Sequence, residues 1–204
     1  MKPKKDYSKK NNDKINKQLL PTKIHSEIAQ NQINEKVLTI EIALPFELSD
    51  IKVESNLSEG GMGFTFLGFN KSNPNIKVVL KIPNLNIQSR IDLFKKEILT
   101  LKRFSHKNIV KILTHGESEL PLTNGTKVNL PWMVMEYIKG NNLRAALLQN
   151  GQLEWEDCKS LLIDCLSALK CIHAQGIWHR DIKPENIIKT NRGVWILVDF
   201  GIAK

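Results

Sequence analysis

The chain has 204 residues, enough for one sizeable hydrophobic core, and its 41% hydrophobic and 25% charged content is that of an ordinary globular protein, neither collagenous nor disordered throughout. Thirty basic residues against 21 acidic ones give a net charge of +9, and eight Lys against two Asp place six of those charges in residues 1–23. With no interleaved aromatic set and no amphipathic apolar face, that segment reads as a solvated basic tail, and no specific nucleic-acid partner is expected. Cys158, Cys165 and Cys171 lack a C-x-x-C pair and His neighbours at metal spacing, which argues against a disulfide framework or a zinc site. They read as small core residues in a reducing cytoplasm. The first thirty residues contain no apolar signal-peptide core, and no apolar run of about 18 residues occurs, so no membrane segment is expected within 1–204.

Residues 24–50 carry short apolar pieces (Ile40, Ile42, Leu44) with Pro45 and read as a strand or lead-in to a domain that starts at Ile51. From Ile51 a strand runs into Leu57-Ser58-Glu59-Gly60-Gly61-Met62-Gly63 and resumes at Phe64–Phe69, two antiparallel strands joined by a glycine turn. Asn73-Pro74-Asn75 marks the next turn, and Val78–Ile82 follows as a buried strand closed by Pro83. Ser89 and Asp92 have capping-box spacing, and Ile91, Phe94, Ile98 and Leu101 predict an amphipathic helix over about 90–103. Ile109–Leu113 and Trp132–Tyr137 flank a Pro/Asn/Gly-containing loop and read as a further strand pair. A short helix is predicted near Asn142. The longest helix is predicted over Glu154–Ala174, with Trp155, Cys158, Leu162, Cys165, Leu169 and Ile172 as its apolar stripe and Gly176 as its stop.

Three glycines in four residues serve equally well as a floppy hairpin tip, and a strand Lys (Lys81) with a helix Glu (Glu97) is often structural. The informative segment is His179-Arg180-Asp181-Ile182-Lys183-Pro184-Glu185-Asn186, followed after a short strand by Asp199-Phe200-Gly201. Six of its positions at roughly one-in-twenty usage match by chance about once in 10⁷ to 10⁸ windows. Glycine loop, strand Lys, helix Glu, catalytic loop and Asp-Phe-Gly stand in the order of the protein-kinase signatures. Over about residues 51–204 the chain resembles the eukaryotic-type serine/threonine protein kinases. The resemblance implies an α+β, bilobal fold, with a complete antiparallel β N-lobe carrying one regulatory helix and an incomplete helical C-lobe.

It also implies ATP and Mg²⁺ as cofactors and a protein bearing a Ser/Thr hydroxyl as partner. Phosphoryl transfer is chiefly positioning and charge neutralisation around an anionic transition state. By resemblance, Leu57, Ser58, Gly60, Gly61, Met62, Gly63 and Thr65 form the roof over the nucleotide, Lys81 pairs with its α/β-phosphates, and Glu97 holds Lys81. Asn186 and Asp199 would offer oxygen ligands to Mg²⁺. Asp181 would take the proton of the substrate hydroxyl, and Lys183 would offset charge on the transferring phosphate. Glu136 and Ile138 would present backbone groups to the adenine edge, with Met135 behind them. Leu101, His179 and Phe200 would stack between the lobes, for packing or for regulation.

The sequence departs from the family pattern at Ser58, where the first glycine usually stands, and at Thr65, where a valine usually meets the adenine. Thr65 is expected to lower nucleotide affinity modestly. Family members continue past Asp-Phe-Gly through an activation segment and substrate-binding helices, roughly another 100 residues. Phosphotransfer is therefore expected to need that further portion, and the alternative is a truncated non-catalytic nucleotide-binding or interaction module. A small-molecule phosphotransferase fits Arg180-Asp181-x-Lys183-Pro184 poorly.

Overall fold

The computed structural model describes residues 41–60, 63–84 and 88–200. The basic tail over 1–23, the lead-in up to residue 40, the loop residues Gly61 and Met62, and Gly201 lie outside the described residues. Strands β1 (Phe46–Leu48), β2 (Ile51–Gly60), β3 (Gly63–Asn70), β4 (Lys77–Pro83), β5 (Ile112–Pro121) and β6 (Lys127–Glu136) form one antiparallel sheet in the order β1-β2-β3-β4-β6-β5. Helix α1 (Gln88–Leu101) lies between β4 and β5 in sequence. Beyond this sheet come β7 (Gly140–Asn142), α2 (Leu143–Asn150), α3 (Trp155–His173), a 3₁₀ turn at Pro184–Asn186, β8 (Ile187–Thr190) and β9 (Trp195–Leu197). Strands β7, β8 and β9 pair as a small second sheet. A β-rich part followed by a helical part is the α+β arrangement expected from the sequence.

The described end of the lead-in, residues 41–50, is built into the large sheet. Phe46–Leu48 pairs with β2, and Ile42 bridges Leu122 at the turn between β5 and β6, with Ala43 N–H donating to the Pro121 carbonyl at 2.9 Å. Strands β2 and β3 pair out to Gly60↔Gly63, and the Asn73 turn forms as expected, closed by Ile76 N–H donating to the Asn73 carbonyl at 2.9 Å.

The β5–β6 hairpin is much longer than the short apolar pieces at 109–113 and 132–137 suggested, with its loop reduced to the turn at 122–126. Its outer half carries polar cross-strand contacts such as the pair Glu119↔Asn129 and the Asn129 amide donating to Glu117 at 3.2 Å, while Leu120 and Leu130 point inward. Helix α1 starts at Gln88, so Ser89 lies inside its first turn and is not its cap, and the helix stops at Leu101 in a tightened turn. Its stripe holds: Phe94, Ile98 and Leu101 are buried.

Strand β6 explains how two cores share one sheet. Leu130, Trp132 and Val134 face a cluster with Val53, Phe66, Leu80 and Ile82, whereas Met133 and Met135, one residue out of phase, join α1 in the other cluster. That second cluster runs on through Phe104, Ile109, Leu197 and Phe200 to Ala168 and Ile172 of α3.

Helix α3 matches its predicted span to within a residue at each end, but its buried face is turned from the predicted stripe. Asp164, Ala168 and Ile172 are buried, with Leu161, Cys165 and Leu169 packed beside them. Trp155 and Leu162 instead stand 74% and 60% exposed, and Ile163 and Leu166 share that outer face. The reason is Asp164, whose carboxylate accepts the Trp195 N–H at 2.9 Å and so draws the polar residue inward. The three cysteines are free and half-buried.

Asn142 caps α2, its Oδ1 accepting from Ala145 N–H at 2.8 Å. Asn142→Ala is expected to lower the unfolding free energy by about 1 kcal/mol, read as a shifted denaturant midpoint at constant m-value.

Candidate active site

Position along β4 decides which way Lys81 points. Val78, Leu80 and Ile82 enter the inner core of the sheet, so Lys81 projects from the opposite face, beneath which α1 packs. Glu97 lies on the buried face of α1 between Phe94 and Ile98. Lys81 Nζ sits 2.7 Å from Glu97 Oε1 and 2.7 Å from Asp199 Oδ1, with the Lys81 and Glu97 side chains only 5% and 2% exposed. The Phe200 N–H donates to the same Glu97 oxygen at 3.2 Å. Burial alone would pull the Lys81 ammonium down, but the charges of Glu97 and Asp199 outweigh it and hold its pKa above the ordinary value. Burial raises the Glu97 carboxyl above the ordinary carboxylate range despite Lys81. One cation shared by two carboxylates leaves this pocket net negative.

The loop after α3 supplies the second group. His179 is buried, its ring 4.5 Å from that of Phe200 and tilted by 60°. Asp181 N–H donates to His179 Nδ1 at 3.3 Å, so Nε2 carries the proton and donates to the Val198 carbonyl at 3.2 Å. Burial lowers the His179 pKa, consistent with a neutral ring. This ring therefore ties the loop to the strand leading into Asp199. Arg180 and Asp199 both take positive φ, 64° and 62°, a conformation costly for residues with a Cβ and one that concentrates at functional sites.

Asp181 Oδ2 accepts from Lys183 Nζ at 2.6 Å and from Asn186 Nδ2 at 3.0 Å, and Asn186 Nδ2 also reaches the Asp181 carbonyl at 2.9 Å. The hydrogen bond to Asp181 raises the Lys183 pKa. Because Asn186 spends its amide N–H₂ on Asp181, its carbonyl oxygen is the atom left to face the cleft. Val198 N–H donates to the Asn186 backbone carbonyl at 2.9 Å, which fixes Asp199 one residue away.

Between the two sheets lies a cleft of about 370 Å³. Leu57, Ser58 and Thr65 line it, as do Lys81, Met135, Glu136, Ile138, Asn186 and Asp199. The β6 ladder stops at Glu136, so Tyr137 and Ile138 have left the sheet where they border the cleft. Gly60 ends β2 and Gly63 begins β3; a Cβ on Gly63 would meet the Ile82 carbonyl oxygen at 2.1 Å, so only glycine fits there. Gly61 and Met62 lie outside the described residues.

Asp181, Lys183 and Glu97 do not line the cleft itself: Glu97 is bonded to Lys81, Asp181 to Asn186, and Lys183 to Asp181. Val79, Val110, Ile188 and Val198 supply apolar walls that the motifs did not single out. Val79 could have been found from strand periodicity, since it lies two residues from Lys81 on β4.

A cleft with apolar walls at one end and a cation, a carboxylate and an amide oxygen at the other suits a molecule with a flat apolar head and an anionic tail. Among the described residues no group of three or more His, Cys, Asp or Glu is arranged to hold a metal. The donors Asn186 and Asp199 fit Mg²⁺ in its usual manner, through one or two protein oxygens with the rest from phosphate and water.

Residues 51–204 match the family model described as the protein kinase domain. The chain belongs to this family. It is 40% identical over 111 residues to the probable serine/threonine-protein kinase PknB of Bifidobacterium longum, covering 54% of this chain and 16% of that protein. It is 36% identical over 150 residues to a probable serine/threonine-protein kinase of Clostridium perfringens, 72% of this chain and 21% of that one. A serine/threonine-protein kinase of Schizosaccharomyces pombe is 39% identical over 113 residues, 55% of this chain and 23% of that one. The chain thus spans about a fifth of the length of these curated relatives.

Lys81→Met leaves Glu97 and Asp199 facing each other without a cation and is expected to cost about 3–5 kcal/mol of stability. Glu97 already sits above its reference value of 4.5, and removing the cation raises it further, so the folded variant keeps a proton that the unfolded chain releases. Its stability should fall as pH rises above that reference value, more steeply than in the parent chain. Denaturant titrations at about pH 5 and about pH 8 test this, and equal loss at both would contradict it.

Proposed function

We propose that this chain forms the ATP-binding and catalytic-loop part of a serine/threonine protein kinase that transfers the γ-phosphoryl group of ATP to a Ser or Thr hydroxyl of a protein. The observation that carries the reading is the linked set Glu97–Lys81–Asp199 and Asp181–Asn186 at the polar end of one cleft. Lys81 would neutralise the α/β-phosphates, held in place by Glu97. Asn186 and Asp199 would hold Mg²⁺, which when bound supplies charge neutralisation for the triphosphate. Leu57, Ser58, Gly60–Gly63 and Thr65 would cover the nucleotide, and the chain at Glu136 and Ile138 would meet the adenine edge, with Met135 behind.

Asp181 would accept the proton of the attacking hydroxyl at its carboxylate, oriented by Asn186. Lys183, now paired with Asp181 at 2.6 Å, is within reach to offset charge on the transferring group. Free thiols at all three cysteines favour the cytoplasm as the site of action. Among the described residues no helix is long and apolar enough to cross a membrane.

A second reading, a module that binds nucleotide or a partner without transferring phosphate, draws support from the outer face of α3. Trp155, Leu162, Ile163 and Leu166 are exposed there by 57–74%, as on a surface built to be covered.

Incubating the chain, extended by the further portion that phosphotransfer is expected to need, with labelled ATP, Mg²⁺ and an acceptor protein such as casein separates the two. Labelled phosphoserine or phosphothreonine is expected, and Asp181→Asn should lower its formation by about 10²–10⁴-fold while ADP binding persists. Nucleotide binding with no transfer would select the second reading. Transfer unchanged by Asp181→Asn would remove the assignment.

A further inference from the structure

The two positions at which the glycine loop departs from the family pattern touch each other. Ser58 and Thr65 are directly opposed in the β2–β3 ladder, and Thr65 in turn is opposed to Lys81 across β3–β4. The Ser58 and Thr65 hydroxyls lie 2.6 Å apart, and Thr65 Oγ1 is also 3.4 Å from the Ser58 carbonyl. Both side chains line the cleft. The register slips between Asn56 and Ser58, so Leu57, which also lines the cleft, has no partner on β3. The hydroxyl pair is the first cross-strand contact after that bulge.

We propose that Ser58 and Thr65 act as one unit, a hydroxyl clasp in the cleft roof that determines nucleotide affinity by keeping the Thr65 hydroxyl partnered once a nucleotide covers it. The proposal rests on the nucleotide-cleft reading above. In the open cleft water competes for both hydroxyls, so the bond adds little to folding stability. A base and ribose lying against the roof exclude that water. Without the Ser58 hydroxyl, that of Thr65 would then be covered with only the long 3.4 Å contact to the Ser58 carbonyl, whereas one bonded to Ser58 at 2.6 Å loses little on being covered. The apolar contact that a valine would make is thus approximated by a threonine whose polar atom is engaged elsewhere. Ser58 contributes through Thr65 and is a positioning residue.

The test is a double-mutant cycle read by calorimetry with ADP and Mg²⁺, with thermal melting measured in parallel. Ser58→Ala is expected to weaken ADP binding about five- to tenfold with little change in melting temperature. In the Thr65→Val background, Ser58→Ala should have almost no effect, because no hydroxyl is left to strand. Thr65→Ser, which keeps the hydroxyl, should preserve the dependence on Ser58. Equal penalties for Ser58→Ala in both backgrounds, or no penalty in either, would overturn the clasp while leaving the nucleotide cleft intact. No ADP binding by the unsubstituted protein would remove both.

Discussion

The buried Lys81 ammonium, held at 2.7 Å by both Glu97 and Asp199, joins strand β4 and the helix α1 that follows it to the segment after β9, 118 residues away in sequence. Neither Lys81 nor Glu97 could be buried alone at tolerable cost, since an unpaired charge in so dry a place is worth several kcal/mol against folding. The position of α1 against the sheet and the path of the chain at Asp199 are therefore set by one cation. The same set leaves an excess negative charge beside a cation, which a divalent ion with a polyphosphate can satisfy and a neutral ligand cannot. Structural and ligand-binding demands fall on the same three atoms.

The apolar core follows the ionic one. Phe200 sits next to Asp199 in sequence, donates its N–H to Glu97, and packs its ring against His179 and Phe104. A change in the backbone at Asp199, already at positive φ, would move a fully buried ring as well as a carboxylate. His179 adds a further tie, because its neutral ring bonds both the Asp181 N–H and the Val198 carbonyl. The loop holding Asp181 and the segment leading from β9 into Asp199 are thus linked through one imidazole.

What could be read from the sequence were the parts where chemistry dictates residue type. Lys81, Glu97, Asp181, Lys183, Asn186 and Asp199 carry charge or amide groups that few substitutes can supply, and the spacing within the catalytic loop is set by a short turn. Less legible were the parts where several patterns bury surface equally well. The outer half of the β5–β6 hairpin alternates polar and apolar residues and looks like loop until the strands pair. Helix α3 presents two apolar faces, one through Leu161, Cys165 and Ala168 and another through Leu162, Ile163 and Leu166. The choice between them turns on Asp164, a residue that any hydropathy pattern assigns to solvent and that the Trp195 N–H recruits inward. The apolar walls of the cleft, Val79, Val110, Ile188 and Val198, are ordinary strand residues with no chemical signature.

The glycine loop illustrates a different limit. Taken position by position, a serine for glycine and a threonine for valine are two unrelated departures, the second unfavourable because it sets a hydroxyl against a base. Seven residues apart in sequence, they become direct neighbours only through the register of β2 and β3, and that register depends on a bulge at Leu57 that no propensity announces. A polar group in a binding site cannot be valued until its partner is known, because the cost of covering it ranges from negligible when bonded to several kcal/mol when stranded. In antiparallel hairpins the partner lies across the ladder, so the meaning of a substitution at Thr65 is written at Ser58.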